Sequence, residues 1–381
     1  MTNYISKEEK LRFDECNFRG FYTVYRTVRH YPRQIGGNLL GYVGEVTPNM
    51  LKRYPSYKAG DYVGISGVES AYEPELRGTK GVKVLERDTH GAIKGSYMNG
   101  MYDSLPVPGS YLVSTIDARL QLLGEELMRG KVGAAVAIEP STGEILMMVS
   151  SPTYDPDELV GRERGNHYME LLRNKRQPLY NRAVQSKFYP PGSTFKILTL
   201  AMALEENKVK MSDTFNCPGY VVIEGAKINC SKRAPGHGHQ DLITAFANSC
   251  NPAFINIGLR LANTTFYNYM KAFGLTGKTG VDTTGEASGF VNKEIEYSTL
   301  ALACYAFGQN FNVTPLSLIN AQAACVNGGY LYTPYLVEEI TDQDGNVVSK
   351  HDSTPIRQVV SEETSALVRD IMEYEVTSGT G

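Results

Sequence analysis

The sequence predicts an α+β protein in two modules: a β-rich, loop-heavy one over residues 1–110 and, over 111–381, a second that mixes a sheet with segregated helices. Three observations carry this. Glycine, proline and tyrosine are dense before residue 110 and the apolar runs there are short, as in "RHYPRQIGGNLLGYVGEV" and "GVKVLERDTHGAIKGS". The segment "PVPGSYLVST" then crosses a Pro/Gly joint into longer periodic segments. Beyond it, helical and loop segments alternate between two hairpin signals, an α+β pattern. With 381 residues, 42% of them hydrophobic and 21% charged, the chain is long enough for two or three domains with real cores.

Taken in order, the first module offers only short strands that cannot be placed closely. A helix is expected from about Ala118, packing Leu120, Leu123 and Leu127 at helical spacing. "GAAVAIEPSTGEILMMVSSP" reads as two strands joined by a Pro-Ser-Thr-Gly turn. "GGYLYTPYLVEEITDQDGNVVSK" reads as a second hairpin with Asp-Gly-Asn at its tip. Between them, "STFKILTLAMALEEN" is apolar almost all round, which places it as a helix in the middle of a domain.

A formal net charge of -3 gives no electrostatic footprint for nucleic acid. No stretch approaches the roughly 18–20 apolar residues of a membrane span. The first twenty residues have neither a basic start nor an apolar core of a signal peptide.

The chemistry gathers at the mouth of the apolar helix, where Pro190, Pro191 and Gly192 lead into Ser193 and Lys196. Residues three apart on a helix share a face, so the Lys196 amine can reach the Ser193 hydroxyl. The helix N-terminus and burial both disfavour the ammonium form, and a neutral amine beside a serine makes a nucleophile for acyl transfer. An isolated S-x-x-K is more often a capping serine with a snorkelling lysine. Here Ser249 and Asn251, 56 and 58 positions beyond Ser193, close a helical run before Pro252, where a loop can aim both into the same cleft.

These residues resemble a class B penicillin-binding protein, a monofunctional peptidoglycan transpeptidase. The resemblance covers nearly the whole chain, from "YPRQIGGNLLGYVGEV" and "GDYVGISGVESAYEPELRGTKG" to "AIEPSTGEILMMVSSPTYDPD", "NRAVQSKFYPPGSTFK", "FGLTGKTGVDTTGE" and "GQNFNVTPLSLINAQAACVNGG". It implies a pedestal, dimerisation-type domain ahead of a transpeptidase domain with a five-stranded antiparallel sheet between helices. It also implies that Ser193 is acylated by a D-Ala-D-Ala stem peptide, that Lys196 is the base, that Ser249 relays protons and that Asn251 holds the substrate amide. The "GQN" at 308–310 departs from the more usual Gly-Gln-Gly, which bears on the local loop geometry.

Of six cysteines (16, 217, 230, 250, 304, 325), three fall with His237 at separations of 12, 6 and 12 residues: Cys217, Cys230, His237, Cys250. Three thiolates and an imidazole make a closed, structural Zn²⁺ set, and this one resembles the metal site of the elongation-type penicillin-binding protein 2. His237 is preferred to His239 because it keeps that family's spacing to the second motif. The alternative is a disulfide from Cys217 to Cys230 with Cys250 as a buried thiol.

Lys278, Thr279 and Gly280 match the family's third motif by letter, but a turn-rich, acidic stretch follows them, so Lys278 is expected to be a solvated loop residue. The resemblance further implies a membrane anchor before Met1 and a third catalytic motif beyond Gly381, so that both modules are truncated and the 381-residue chain alone acylates weakly or not at all. It implies a protein at the extracytoplasmic, periplasmic face of the cell membrane. Its partners would be a SEDS-family glycan polymerase, rod-shape scaffold proteins and β-lactams. A penicillin-binding scaffold or sensor without turnover is the alternative function.

Overall fold

The structure, a computed structural model, describes residues 5–379 apart from 17, 19, 20, 22, 24–28, 54–55, 92 and 186–188. It forms two compact units: Met1–Val113 with Pro152–Tyr180 and Glu339–Lys350, and Ser114–Ser151 with Asn181–Glu338 and His351–Gly381. The sequence suggests one boundary near residue 110; the chain in fact returns to the first unit twice more, at Pro152–Tyr180 and Glu339–Lys350. None of the helices among the described residues is long and apolar enough to cross a membrane.

The first unit opens on helix Lys7–Glu15, started by a capping box in which Ser6 Oγ accepts from the Glu9 amide and Glu9 accepts from the Ser6 amide. Its strands are shorter than the β-rich reading expects. Val43–Glu45 pairs with Tyr62–Gly64 and Leu85–Arg87 with Ile93–Ser96, while short helices (Gly37–Leu40, Pro48–Arg53, Gly67–Ala71, Glu73–Leu76) fill the intervals. Glycine and proline cut the apolar runs before either element can lengthen.

Polar side chains recruit the later segment into this unit. The Tyr31 amide donates to Asp157 at 2.7 Å, Asn38 Nδ2 donates to the Pro178 carbonyl at 2.7 Å, and Tyr42 meets the rings of Tyr154 and Tyr168. The hairpin with Asp-Gly-Asn at 344–346 is present: Glu339 opposes Lys350, and the Asp342 carboxylate accepts from the Asp344 and Asn346 amides at its tip.

In the second unit Asp117 caps helix Ala118–Met128 by accepting from the Arg119 and Leu120 amides. Its buried face is not the expected leucine row: Leu123 and Leu127 are exposed, and Gln121 and Gly124 face inward. The helix lies so close to strand Ile145–Ser151 that a Cβ on Gly124 would sit 2.4 Å from Met147 Sδ. Gln121 meets the Met148 amide and carbonyl with both ends of its own amide, at 2.9 and 3.0 Å. Backbone pairing at that strand therefore outranks leucine spacing.

Strands Gly133–Ile138 and Ile145–Ser151 form the expected antiparallel pair around the Pro-Ser-Thr-Gly turn. Among the described residues this sheet has two strands, where the resemblance implies five. Helices Ala118–Met128 and Pro315–Val326 pack against it. The apolar helix is Lys196–Glu205, with Leu198, Leu200 and Met202 fully buried among helices Asn251–Leu261, Pro315–Val326 and Glu362–Ser378. It is the central post of the unit's core.

Candidate active site and metal centre

The post begins with a tight turn. Gly192–Phe195 is 3-10 helix running directly into Lys196–Glu205, with Ser193 exposed and Lys196 buried below it. The turn lacks a side-chain cap. Instead the Gly192 amide donates 2.9 Å to the Gly308 carbonyl, and Gly308, at φ +81°, approaches so closely that a Cβ there would lie 1.9 Å from the Gly192 oxygen. Gly308→Ala should displace the nucleophile turn and slow β-lactam acylation about tenfold or more, since strain of 1–3 kcal/mol is about one to two decades in rate. Unchanged acylation kinetics would contradict this.

The second motif is aimed by an unusual helix end. Helix Leu242–Ala247 closes with the Ser249 amide on the Phe246 carbonyl and the Cys250 amide on the Ala245 carbonyl, the Schellman arrangement. Its left-handed position, normally glycine, holds Ser249 at φ +48°. That conformation costs a residue with a side chain about 1–2 kcal/mol, and it points the hydroxyl at the lysine. Cys250 is the N-cap of helix Asn251–Leu261, so Asn251 sits in that helix's first turn.

All four sequence-predicted residues meet at one nitrogen. Lys196 Nζ lies 3.1 Å from Ser193 Oγ, 2.9 Å from Ser249 Oγ, 2.7 Å from the Ser249 carbonyl and 2.8 Å from Asn251 Oδ1. A neutral amine has two N–H groups and one lone pair. The two carbonyl oxygens can only accept, so they take the two N–H groups and turn the lone pair toward the hydroxyls. Burial pushes the Lys196 pKa down to about 8, against a smaller opposing influence of the neighbouring Cys230, Cys250 and Glu375 side chains. The Phe254 ring lies 5.7 Å from the amine. Three positions beyond Asn251 on the same helical face, Phe254 was within reach of spacing arguments. Gly308 was legible only as the first residue of the Gly-Gln-Asn segment, and nothing in that segment declared its contact with Gly192.

Asn251 works at both ends: Oδ1 accepts from Lys196, and Nδ2 donates 3.1 Å to the Asn229 carbonyl, the residue before Cys230. There the second cluster begins. One ligand atom each from Cys217, Cys230, His237 and Cys250 lie within 4.8 Å of one another. Cys217 ends strand Thr214–Cys217, whose ladder partner Gly238–Asp241 brings His237 alongside. Cys230 Sγ is 3.6 Å from His237 Nδ1. His239 is exposed and outside the cluster.

Burial pushes the Cys250 thiol up to about 12. At Cys217 burial also acts upward, but amide hydrogen bonds from His237 and Gly219 and the neighbouring thiols prevail and hold it below its ordinary value. Burial, then Lys232 and Lys196, hold the His237 imidazole below its ordinary value. A tetrahedral zinc with Zn–S of about 2.3 Å spaces its sulfurs about 3.8 Å apart, which this cluster accommodates. The six cysteines are all free thiols in the structure, including Cys217 and Cys230.

Lys278 is exposed and lies outside any strand, while the Thr279 and Gly280 amides donate to the buried Glu286 carboxylate. That segment is a loop anchored by its glutamate.

An exposed serine resting on a buried lysine, with a second serine on the same amine and an α+β frame around them, is the arrangement of the penicillin-recognising serine acyltransferases. The chain belongs to the penicillin-binding transpeptidases: residues 133–381 match the penicillin binding protein transpeptidase domain, and residues 1–114 match the penicillin-binding protein dimerisation domain. Stage V sporulation protein D of Bacillus subtilis is 34% identical over 389 residues, covering 99% of this chain and 55% of that protein. Peptidoglycan D,D-transpeptidase MrdA of Acinetobacter baumannii is 31% identical over 386 residues, covering 97% and 56%. The chain thus spans about half the length of these curated relatives. Penicillin-binding protein 2 of Pseudomonas aeruginosa, solved with WCK 5153, superposes with TM-score 0.78 at 29% identity, covering 93% of this chain and 75% of that one. In the Helicobacter pylori complex of penicillin-binding protein 2 with MreC, the match reaches TM-score 0.83 at 23% identity over 99% and 69%, a likeness of fold.

Proposed function

We propose that the protein containing this chain is a peptidoglycan D,D-transpeptidase that cross-links stem peptides through a Ser193 acyl-enzyme during cell-wall elongation and is acylated by β-lactams. The observation that carries this is the sharing of Lys196 Nζ by Ser193 Oγ, Ser249 Oγ and Asn251 Oδ1 within 3.1 Å. Neutral Lys196 takes the Ser193 proton as Oγ attacks the penultimate D-Ala carbonyl. The proton passes by way of Ser249 to the departing D-Ala amine as the C–N bond breaks. An acceptor amine then attacks the ester, loses its proton along the same path and regenerates the serine hydroxyl.

A structural Zn²⁺ on Cys217, Cys230, His237 and Cys250 would brace the loop between Ser249 and Asn251, because Cys250 is the residue between them. The setting is the extracytoplasmic face of the cell membrane. The partners are a SEDS-family glycan polymerase and rod-shape scaffold proteins, a reading supported by the similarity to penicillin-binding protein 2 in complex with MreC and to a peptidoglycan synthase complex. The likeness to stage V sporulation protein D favours a second reading, the same chemistry in spore formation.

With lipid-linked precursor and a glycan polymerase, the protein as the cell makes it should yield cross-linked glycan. Polymer without cross-links, despite β-lactam labelling, would leave the scaffold or sensor alternative. Loss of rod shape on depletion separates elongation from a defect confined to spores.

A further inference from the structure

The nucleophile turn is tied to its surroundings twice, once on each side of Ser193. Before Ser193, the Gly192 amide is fixed to the Gly308 carbonyl. After it, the Thr194 carbonyl accepts a 2.9 Å hydrogen bond from Nε2 of Gln322, a residue on helix Pro315–Val326. The Thr194 hydroxyl is turned back to the Pro191 carbonyl at 2.7 Å and does not compete for this role.

We infer that Gln322 is a positioning residue for the acyl-transfer step, setting the Ser193 hydroxyl against Lys196 through the Thr194 carbonyl. The inference rests on the acylation reading above. The physical reason is the geometry of the turn. A 3-10 turn holds its hydrogen bonds less well than an α-helix, and this one has no side-chain cap. Relaxation to regular α-helix would rotate Ser193 relative to Lys196, three residues on. Lys196 cannot follow, because it is buried and bonded to the Ser249 carbonyl and Asn251. Two tertiary hydrogen bonds on the residues flanking Ser193 keep the turn at the pitch that leaves 3.1 Å between Oγ and Nζ. Helix Pro315–Val326 is a rigid origin for one of them, since most of it is buried, including Leu316, Ala321, Ala324 and Cys325. Gln322 is its polar exception beside the turn.

The test uses the protein as the cell makes it and a fluorescent penicillin, separating the acylation rate constant from the pre-covalent binding constant. Gln322→Met keeps the side-chain length and removes the donor; Gln322→Glu replaces the donor with an acceptor facing a carbonyl. The first should slow acylation roughly three- to tenfold, the worth of one hydrogen bond, and the second more. Pre-covalent binding, Tm and the pH at which acylation rises should stay as in the unaltered protein. Equal acylation rates in all three proteins would overturn the inference alone. So would a slowing that tracks a matching fall in Tm, which marks Gln322 as merely structural. Absence of any adduct in the unaltered protein would remove the acylation reading and this inference with it.

Discussion

Ser193→Ala is expected to eliminate the covalent β-lactam adduct in the protein as the cell makes it, and Lys196→Ala to slow its formation by about 10²–10⁴-fold, the usual worth of a positioned proton acceptor. The two losses have different causes. Without Ser193 there is no atom to acylate, so the labelled peptide containing residue 193 should vanish from a digest. Without Lys196 the hydroxyl is present but keeps its weak free reactivity.

The pH dependence separates this from a general defect. An amine is reactive only when unprotonated, and burial lowers the Lys196 pKa from 10.5 to about 8. About a tenth of the molecules then hold it neutral at pH 7, against fewer than about one in a thousand without the shift. Acylation should therefore accelerate as pH rises through about 8, and the residual rate of Lys196→Ala should lack that rise. An adduct on another residue, or undiminished labelling of Lys196→Ala, would refute the assignment.

Cys230→Ser is expected to empty the metal centre and loosen the domain. The unaltered protein should carry close to one zinc per chain, and the variant little or none. Because binding energy at a structural site is folding energy, loss of even a few kcal/mol should lower Tm by about 10 °C in a domain of this size. Acylation should fall with it. Cys250 lies between Ser249 and Asn251, and the Asn251 side chain is bonded to the carbonyl of Asn229, next to Cys230. Metal-free protein of full stability, with a Cys217 to Cys230 crosslink found by mass spectrometry, would establish the disulfide instead.

Much of the site was legible in the sequence because it is carried by residue types with few other uses in such patterns. Serine and lysine three apart before an apolar helix, a second serine ahead of Asn-Pro, and three cysteines with a histidine all meet where their chemistry requires. Periodicity served less well where two elements come unusually close. Helix Ala118–Met128 exposes Leu123 and Leu127 because a glycine and a glutamine fit against strand Ile145–Ser151 where leucines would not. The first module misled in a similar way, since short runs between glycines and prolines do not declare whether they become strand or helical turn. Gln322 gave no signal at all, because its partner is a backbone carbonyl 128 positions away.

The sequence by itself determined the α+β character, the buried post of Lys196–Glu205, the hairpins and the four residues at the reactive centre. Each depends on side-chain chemistry or on spacing within one element, which local order preserves. Only the tertiary structure decided that Lys196 serves two serines at once, that Ser249 takes a left-handed position made for glycine, and that Asn251 joins the lysine to the Asn229 carbonyl beside the cysteine–histidine cluster. Those contacts are made between segments more than fifty residues apart or through backbone carbonyls, which every residue has and no letter of the sequence distinguishes.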